Sequence, residues 1–384
     1  MATVLLAAAS FFAIRQQLGP AQASGYWDRY IAETKTIGES LEELRKESTN
    51  EHLLHTLVKL LDVYPNDARG HLKMAILCLQ RFDIHQQNSQ NPLPLTAIHD
   101  AVVASQFSST KARDDWLAVA VGQNLRLLDC VKYDATMSLR LSPLQGEAYL
   151  ALGEIAFLND HLDPATYKRS LIEQALKVRP FHGAILAAAG TDAARVGDAE
   201  RAIAFWKQAF HKDKQQQLRL IEQLARHAPP SFFLTQFDPD LEGLQALYNF
   251  YQREDHSQGI GEVGPLLARQ LEEASNHADQ VTAVSLLANA YLIYKRLDQP
   301  TQAIACLERA VELDPSDYSR RRTLGYEAYQ MKQYEKAVLH LRWCRYRKSD
   351  DEWVQSWLED AYQHTRFGNG SLSARRDSDS TQAK

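Results

Sequence analysis

At 384 residues the chain exceeds the size at which a single hydrophobic core stops growing, so several domains or a repeat array are expected. Apolar residues make up 45% and charged residues 24%, the balance of a folded chain, and a formal net charge of -5 excludes a general binder of nucleic acid or anionic membrane. The prolines and glycines fall mostly between apolar-periodic segments, which suits many short helices joined by tight turns.

The first segment, residues 1–25, contains an apolar run from Ala2 to Ile14 in which Thr3 and Ser10 are the only polar side chains. That run is shorter than the roughly 20 residues a helix needs to cross a bilayer. Three readings stay open: a signal-peptide core followed by the cleavage-like Ala21-Gln22-Ala23, the end of a membrane anchor, or a buried first helix. Membrane attachment or export and a cytoplasmic location are therefore both carried forward.

Residues 26–227 read as a first array of helix pairs. Tyr64-Pro65-Asn66-Asp67 leads into an apolar helix at Met74-Ala75, and the unit around Ala75 to Ala104 carries a long insertion, Phe82–Pro94. Ser142-Pro143 closes another unit before GEAYLALGEIAF, and Leu152-Gly153 with Ala175 and Pro180 fits the same pattern. The clearest unit runs from Gly183 to Lys214. Gly190 marks a close helix approach, Gly197-Asp198 makes a turn, and Ala202, Trp206 and Ala209 recur at i, i+4, i+7 on one face.

Residues 228–270 break the pattern and read as an irregular helical joint. Pro229-Pro230 ends the first array, Leu241–Tyr251 is a helix started by Asp238-Pro239-Asp240, and another helix starts near Pro265. A second array follows at 271–365. Ala303, Leu307 and Ala310 share the i, i+4, i+7 spacing, and Pro315 stops their helix. Leu324-Gly325 stands as far before Ala337 as Gly190 does before Ala202, with Tyr334, Leu341 and Cys344 completing the face. Trp353–Tyr362 reads as a capping helix and residues 366–384 as a disordered tail.

Catalytic and metal signatures are absent from the sequence. Gly259-Ile260-Gly261-Glu262-Val263-Gly264 fits a dinucleotide fingerprint literally, but no strand precedes it, so it reads as a loop. The histidines are scattered without H-E-x-x-H spacing, and no nucleophile or phosphate-loop motif occurs. Cys78, Cys130, Cys306 and Cys344 form no C-x-x-C pair and read as four buried thiols. No enzyme activity, cofactor or metal is expected.

The order L-G-x-x-Y, A-x-x-x-F, A, P over about 34 residues resembles the tetratricopeptide repeat family. The resemblance covers most of residues 50–365 and implies an all-α solenoid of helix pairs in two arrays. Its implied function is a protein–protein interaction scaffold that holds a peptide or partner protein, without nucleic acid. In that family the first helix of each pair lines a concave groove. Carried onto this sequence, Arg322, Tyr326 and Tyr329 would face the groove in the second array, and Glu154, Phe157 and Arg195 in the first. Tyr318–Lys348 carries nine basic residues against Glu327 and Glu335, with aromatics interleaved, so an acidic partner is one candidate. The other reading makes Arg320–Arg322 a helix-start surface and the tyrosines stacking core. A second resemblance rests on GYWDRYIAETK, FDPDLEGLQALYNFY and YSRRRTLGYEAYQMKQYEKAVLHLRWC. These are similar to the soluble repeat region of bacterial membrane proteins of the O-antigen ligase type, which implies a membrane-attached role in polysaccharide assembly.

Overall fold

A computed structural model of the chain describes residues 19–35, 46–89, 92–160, 163–212 and 214–379. The apolar run Ala2–Ile14, with its signal, anchor and buried-helix readings, lies outside the described residues. Among those that are described the regular structure is helical, with no strand, and no helix is long and apolar enough to cross a membrane. The chain divides into two compact units, Met1–Leu220 and Ile221–Lys384.

Among the described residues, the first helices of this unit are α1 (residues 19–35) and α2 (Glu47–Val63), tied by Glu33, which meets His52 Nε2 at 2.9 Å and accepts from Thr56 Oγ1. Tyr64 and Pro65 end α2, and Asp67 starts α3 (Ala68–Gln87) by accepting from the N–H groups of Arg69 and Gly70, both at 2.9 Å. The segment Phe82–Pro94, read from sequence as an insertion, supplies the last turns of α3 and the connection that follows, and two further helices come after it, α4 (Leu95–Ser105) and α5 (Thr110–Val121). The chain then returns as α6 (Leu125–Leu141), which packs along α3. Two more pairs follow: α7 (Gly146–Glu154) with α8 (Pro164–Val178), and α9 (Gly183–Arg195) with α10 (Ala199–Phe210). The division between units falls within α11 (Lys214–Leu224).

The α3–α6 seam corrects the reading of four free thiols. Cys78 and Cys130 form a disulfide with Cα atoms 6.5 Å apart, whereas Cys306 and Cys344 are free and buried. The 52-residue separation hides this pairing in sequence: α4 and α5 loop out, and α6 comes back against α3.

Beyond α11 the second unit passes through a turn at 230–237, whose buried Phe233 and Phe237 stack with centroids 5.2 Å apart. The expected helix at Leu241 follows as α12 (Leu241–Arg253), capped by Asp240. Its partner α13 (Ser257–Ser275) begins earlier than expected, because His256 Nδ1 accepts from Gly259 N–H at 2.9 Å. The GIGEVG segment therefore forms the opening turns of a helix instead of a loop, and Pro265 lies inside that helix. The pairs α14 (Gln280–Arg296) with α15 (Pro300–Leu313) and α16 (Tyr318–Gln330) with α17 (Tyr334–Arg347) come next. The last helix, α18 (Glu352–Asp379), packs on α17 and takes in most of the segment read as a tail.

Small residues set the closest approaches, as the spacing implies. A Cβ on Gly190 would lie 2.5 Å from Trp206 Cδ1, and one on Gly325 2.8 Å from Leu341 Cγ. Four pairs also share one turn. Gly197, Asp255, Asp298 and Lys332 all have φ between 50° and 84°, and the N–H of the residue after each bonds the carbonyl of Ala193, Tyr251, Tyr294 and Ala328 respectively. This is the Schellman ending, which satisfies the last carbonyls of the first helix while reversing the chain.

Candidate functional site

The basic and aromatic residues of α16 meet the following helix. Arg322 Nε donates to Asp351 Oδ2 at 2.8 Å, and its guanidinium carbon lies 5.1 Å from the Trp357 ring centroid. Tyr326 packs on the same ring at 4.5 Å, and Tyr329 donates its hydroxyl to Asp360 Oδ2 at 2.5 Å. Tyr318 O–H also reaches Asp351, at 2.9 Å. The i, i+4, i+7 spacing thus brings Arg322, Tyr326 and Tyr329 onto one helix face, and α18 lies across it.

Asp351 does three things at once. Its Oδ1 accepts from Val354 N–H and so caps α18, while Oδ2 receives Arg322 and Tyr318. Burial would raise its carboxyl, but the bonds from Arg322 and Tyr318 outweigh that and hold it below the usual carboxylate range. The Tyr318 phenol is pushed up to about 12, first by burial and then by its hydrogen bond to Asp351.

Beside these bonds, Trp353 is 67% exposed and leans on Trp357 at 6.1 Å. Tyr326, Trp357 and Trp353 make a continuous aromatic strip flanked by Arg322. Neither tryptophan carried a groove signature in the repeat pattern. The i, i+4 spacing of two tryptophans on a helix thought only to cap was the available signal.

Many of the other basic residues counted in this repeat are engaged within the unit. Arg320 pairs with Asp314 and Asp317, Lys336 with Glu308, Arg321 and Arg347 bracket the Trp343 ring, and Lys348 lies over Tyr318.

The three first-unit candidates do not form a comparable cluster. Glu154 accepts from Lys168 Nζ at 3.0 Å, and Arg195 is exposed at the end of α9. Phe157 is a correction: it is fully buried, with its ring edge-on to His99. The reason is that α7 stops at Glu154 and the chain turns through a short 3-10 helix at Ala156–Leu158, which aims Phe157 into the core. Among the described residues no group of three His, Cys, Asp or Glu side chains is placed to hold a metal ion.

The model of the tetratricopeptide repeat matches residues 292–317, which span the end of α14, all of α15 and the turn before α16. No curated protein matches the chain. Among solved structures it is similar to the P58(IPK) TPR domain, at 14% identity over 95% of this chain and 96% of that one, with a TM-score of 0.25. It is also similar to yeast Tom70, at 14% identity over 86% of this chain and 62% of that one, with a TM-score of 0.29. A tetratricopeptide repeat is thus matched at residues 292–317, and it lies among stacked helix pairs.

Proposed function

We propose that this chain is a protein–protein interaction scaffold, and that a partner segment binds the face formed by α16 and α18. The observation that carries this reading is the exposed Trp353 beside Trp357, Tyr326 and Arg322. Rigid aromatic side chains offer large contact area with little rotamer entropy to lose, and aromatic and arginine residues anchor most interfaces. Arg322 is already shared with Asp351, so the partner's main anchor is an apolar or aromatic side chain, with an acidic residue next to Arg322 as a secondary contact. Binding makes and breaks no covalent bond.

A photo-crosslinking residue placed at position 353, followed by identification of the captured peptide, tests this. Crosslinks to one defined partner segment, abolished by Tyr326→Ala, are expected. Capture that Tyr326→Ala leaves unchanged would sink the reading.

Export or membrane attachment is a second part of the proposal. It is favoured by the Cys78–Cys130 disulfide, since such bonds persist in oxidising compartments, together with the apolar run at Ala2–Ile14. Under this reading the scaffold serves assembly at a membrane, as the polysaccharide-assembly resemblance implies. Carbonate-washed membranes that retain none of the chain, with Cys78 and Cys130 reduced in cells, would remove this part.

A further inference from the structure

A cavity of about 250 Å³ opens in the first unit between the start of α3, the start of α7 and the α8–α9 loop. Arg69, Lys73, Arg179 and His182 line it, and Glu147 is its one carboxylate. No carboxylate among the described residues pairs with exposed Arg69 and Arg179 or with half-buried Lys73, and Glu147 lies 4.0 Å from His182 Nε2. Arg69 lies over the Trp27 ring at 4.9 Å, and Arg179 Nε donates to a neutral carbonyl, that of Leu144, at 3.1 Å. Asp67, the nearest carboxylate in sequence, is occupied by Trp27 Nε1 and by the N–H groups of Arg69 and Gly70.

The cavity is also held in shape. The stem of Arg179 lies across Gly146, where a Cβ would come within 2.9 Å of Arg179 Cγ. Neither α7 nor α9 has a side-chain cap, so the first N–H groups of both helices add partial positive charge beside the opening. His182 Nδ1 is buried without a hydrogen-bond partner. Three full cations against one carboxylate leave an excess of two positive charges, in a space larger than a lone inorganic anion fills.

We propose that this cavity binds a phosphate-monoester dianion. The guanidinium forks of Arg69 and Arg179 suit two phosphate oxygens each, and Lys73 supplies a point charge to a third. The ester can arrive on a phosphorylated peptide side chain or as a small phosphorylated metabolite. The cavity is independent of the α16–α18 face.

Titration calorimetry on the full chain tests the site with phosphoserine, inorganic phosphate, glutarate and a phosphoserine peptide beside its unphosphorylated form. One-to-one binding of phosphoserine is expected, tighter than glutarate. Lys73→Glu should weaken it about tenfold or more, Glu147→Gln should tighten it severalfold, and Lys207→Glu, an exposed charge on α10, should leave it unchanged. A phosphopeptide that binds at least about tenfold tighter than phosphoserine identifies a protein carrier, and equal affinity identifies a small ester. Failure of both phosphoserine and the phosphopeptide to bind would overturn the proposal. So would equal losses in Lys73→Glu and Lys207→Glu, which would mean diffuse charge instead of a site.

Discussion

Both ring nitrogens of His71 face oxygen atoms inside the first unit, Asp134 Oδ1 at 2.6 Å from Nδ1 and Pro65 O at 2.8 Å from Nε2. A ring with an acceptor at each nitrogen is held doubly protonated. The Asp134 bond raises the imidazole above its ordinary value of 6.5, against the opposing effect of burial. A cation favoured in the folded state contributes stability that is complete below the unfolded value and fades as pH climbs through the folded one. The urea midpoint of the first unit should therefore fall as pH rises above about 6.5, and His71→Gln should flatten that dependence. A wild-type midpoint that stays level from pH 6 to 9 would show that the pair does not act this way. At the other end of the chain, Asp351 shows how one residue can decide a surface: it draws Arg322 and Tyr318 onto α18 and leaves Trp353 exposed. The spacing of Arg322, Tyr326 and Tyr329 placed them on one face from sequence alone. That this face meets α18 was not visible there, because side-chain periodicity says which residues share a face and not what covers it.

Helix pairs recur here because one pair cannot bury its own apolar face, and the sequence shows this wherever a small residue must sit against a large one. Gly190 with Trp206 and Gly325 with Leu341 were readable as a fixed Gly-to-Ala spacing for that reason. The turns were less legible. Only Gly197 announces its left-handed conformation by residue type, while Asp255, Asp298 and Lys332 adopt the same φ region with a Cβ in place. The first turns of α13 were missed on similar grounds, since glycines that signal a loop in isolation here give room to Tyr251 and Tyr248. A left-handed residue with a side chain costs roughly 1–2 kcal/mol, of which glycine's greater unfolded-state freedom takes back a part. Lys332→Gly should consequently stabilise the second unit by about 0.5–1 kcal/mol, read as a shift in denaturant midpoint at constant slope. Gly325→Leu, in the same helix pair, should cost more than about 2 kcal/mol through overpacking against Leu341. Equal and small effects of the two substitutions would mean that neither turn strain nor close approach governs this pair.

Across the molecule, each pair touches chiefly its neighbours in the chain, so stability is a sum of local contributions and a perturbation stays near its source. The α3–α6 pair is the exception in kind, because α4 and α5 separate its two helices and the Cys78–Cys130 bond joins them across that stretch. A loop of 52 residues would otherwise add considerable freedom to the unfolded chain. In the chain-entropy account a cross-link over that length contributes about 4 kcal/mol, and measured values usually fall below it. Replacing both cysteines by alanine should thus destabilise the first unit by about 2–4 kcal/mol. Hydrogen exchange should show lost protection in α3, α6 and their neighbours, while α14 to α17 keep theirs. Thiol titration of the denatured, unreduced chain should find only Cys306 and Cys344 reactive. Four reactive thiols would show that the bond does not form in the isolated chain. Protection lost evenly through both units would show that the pairs do not act locally.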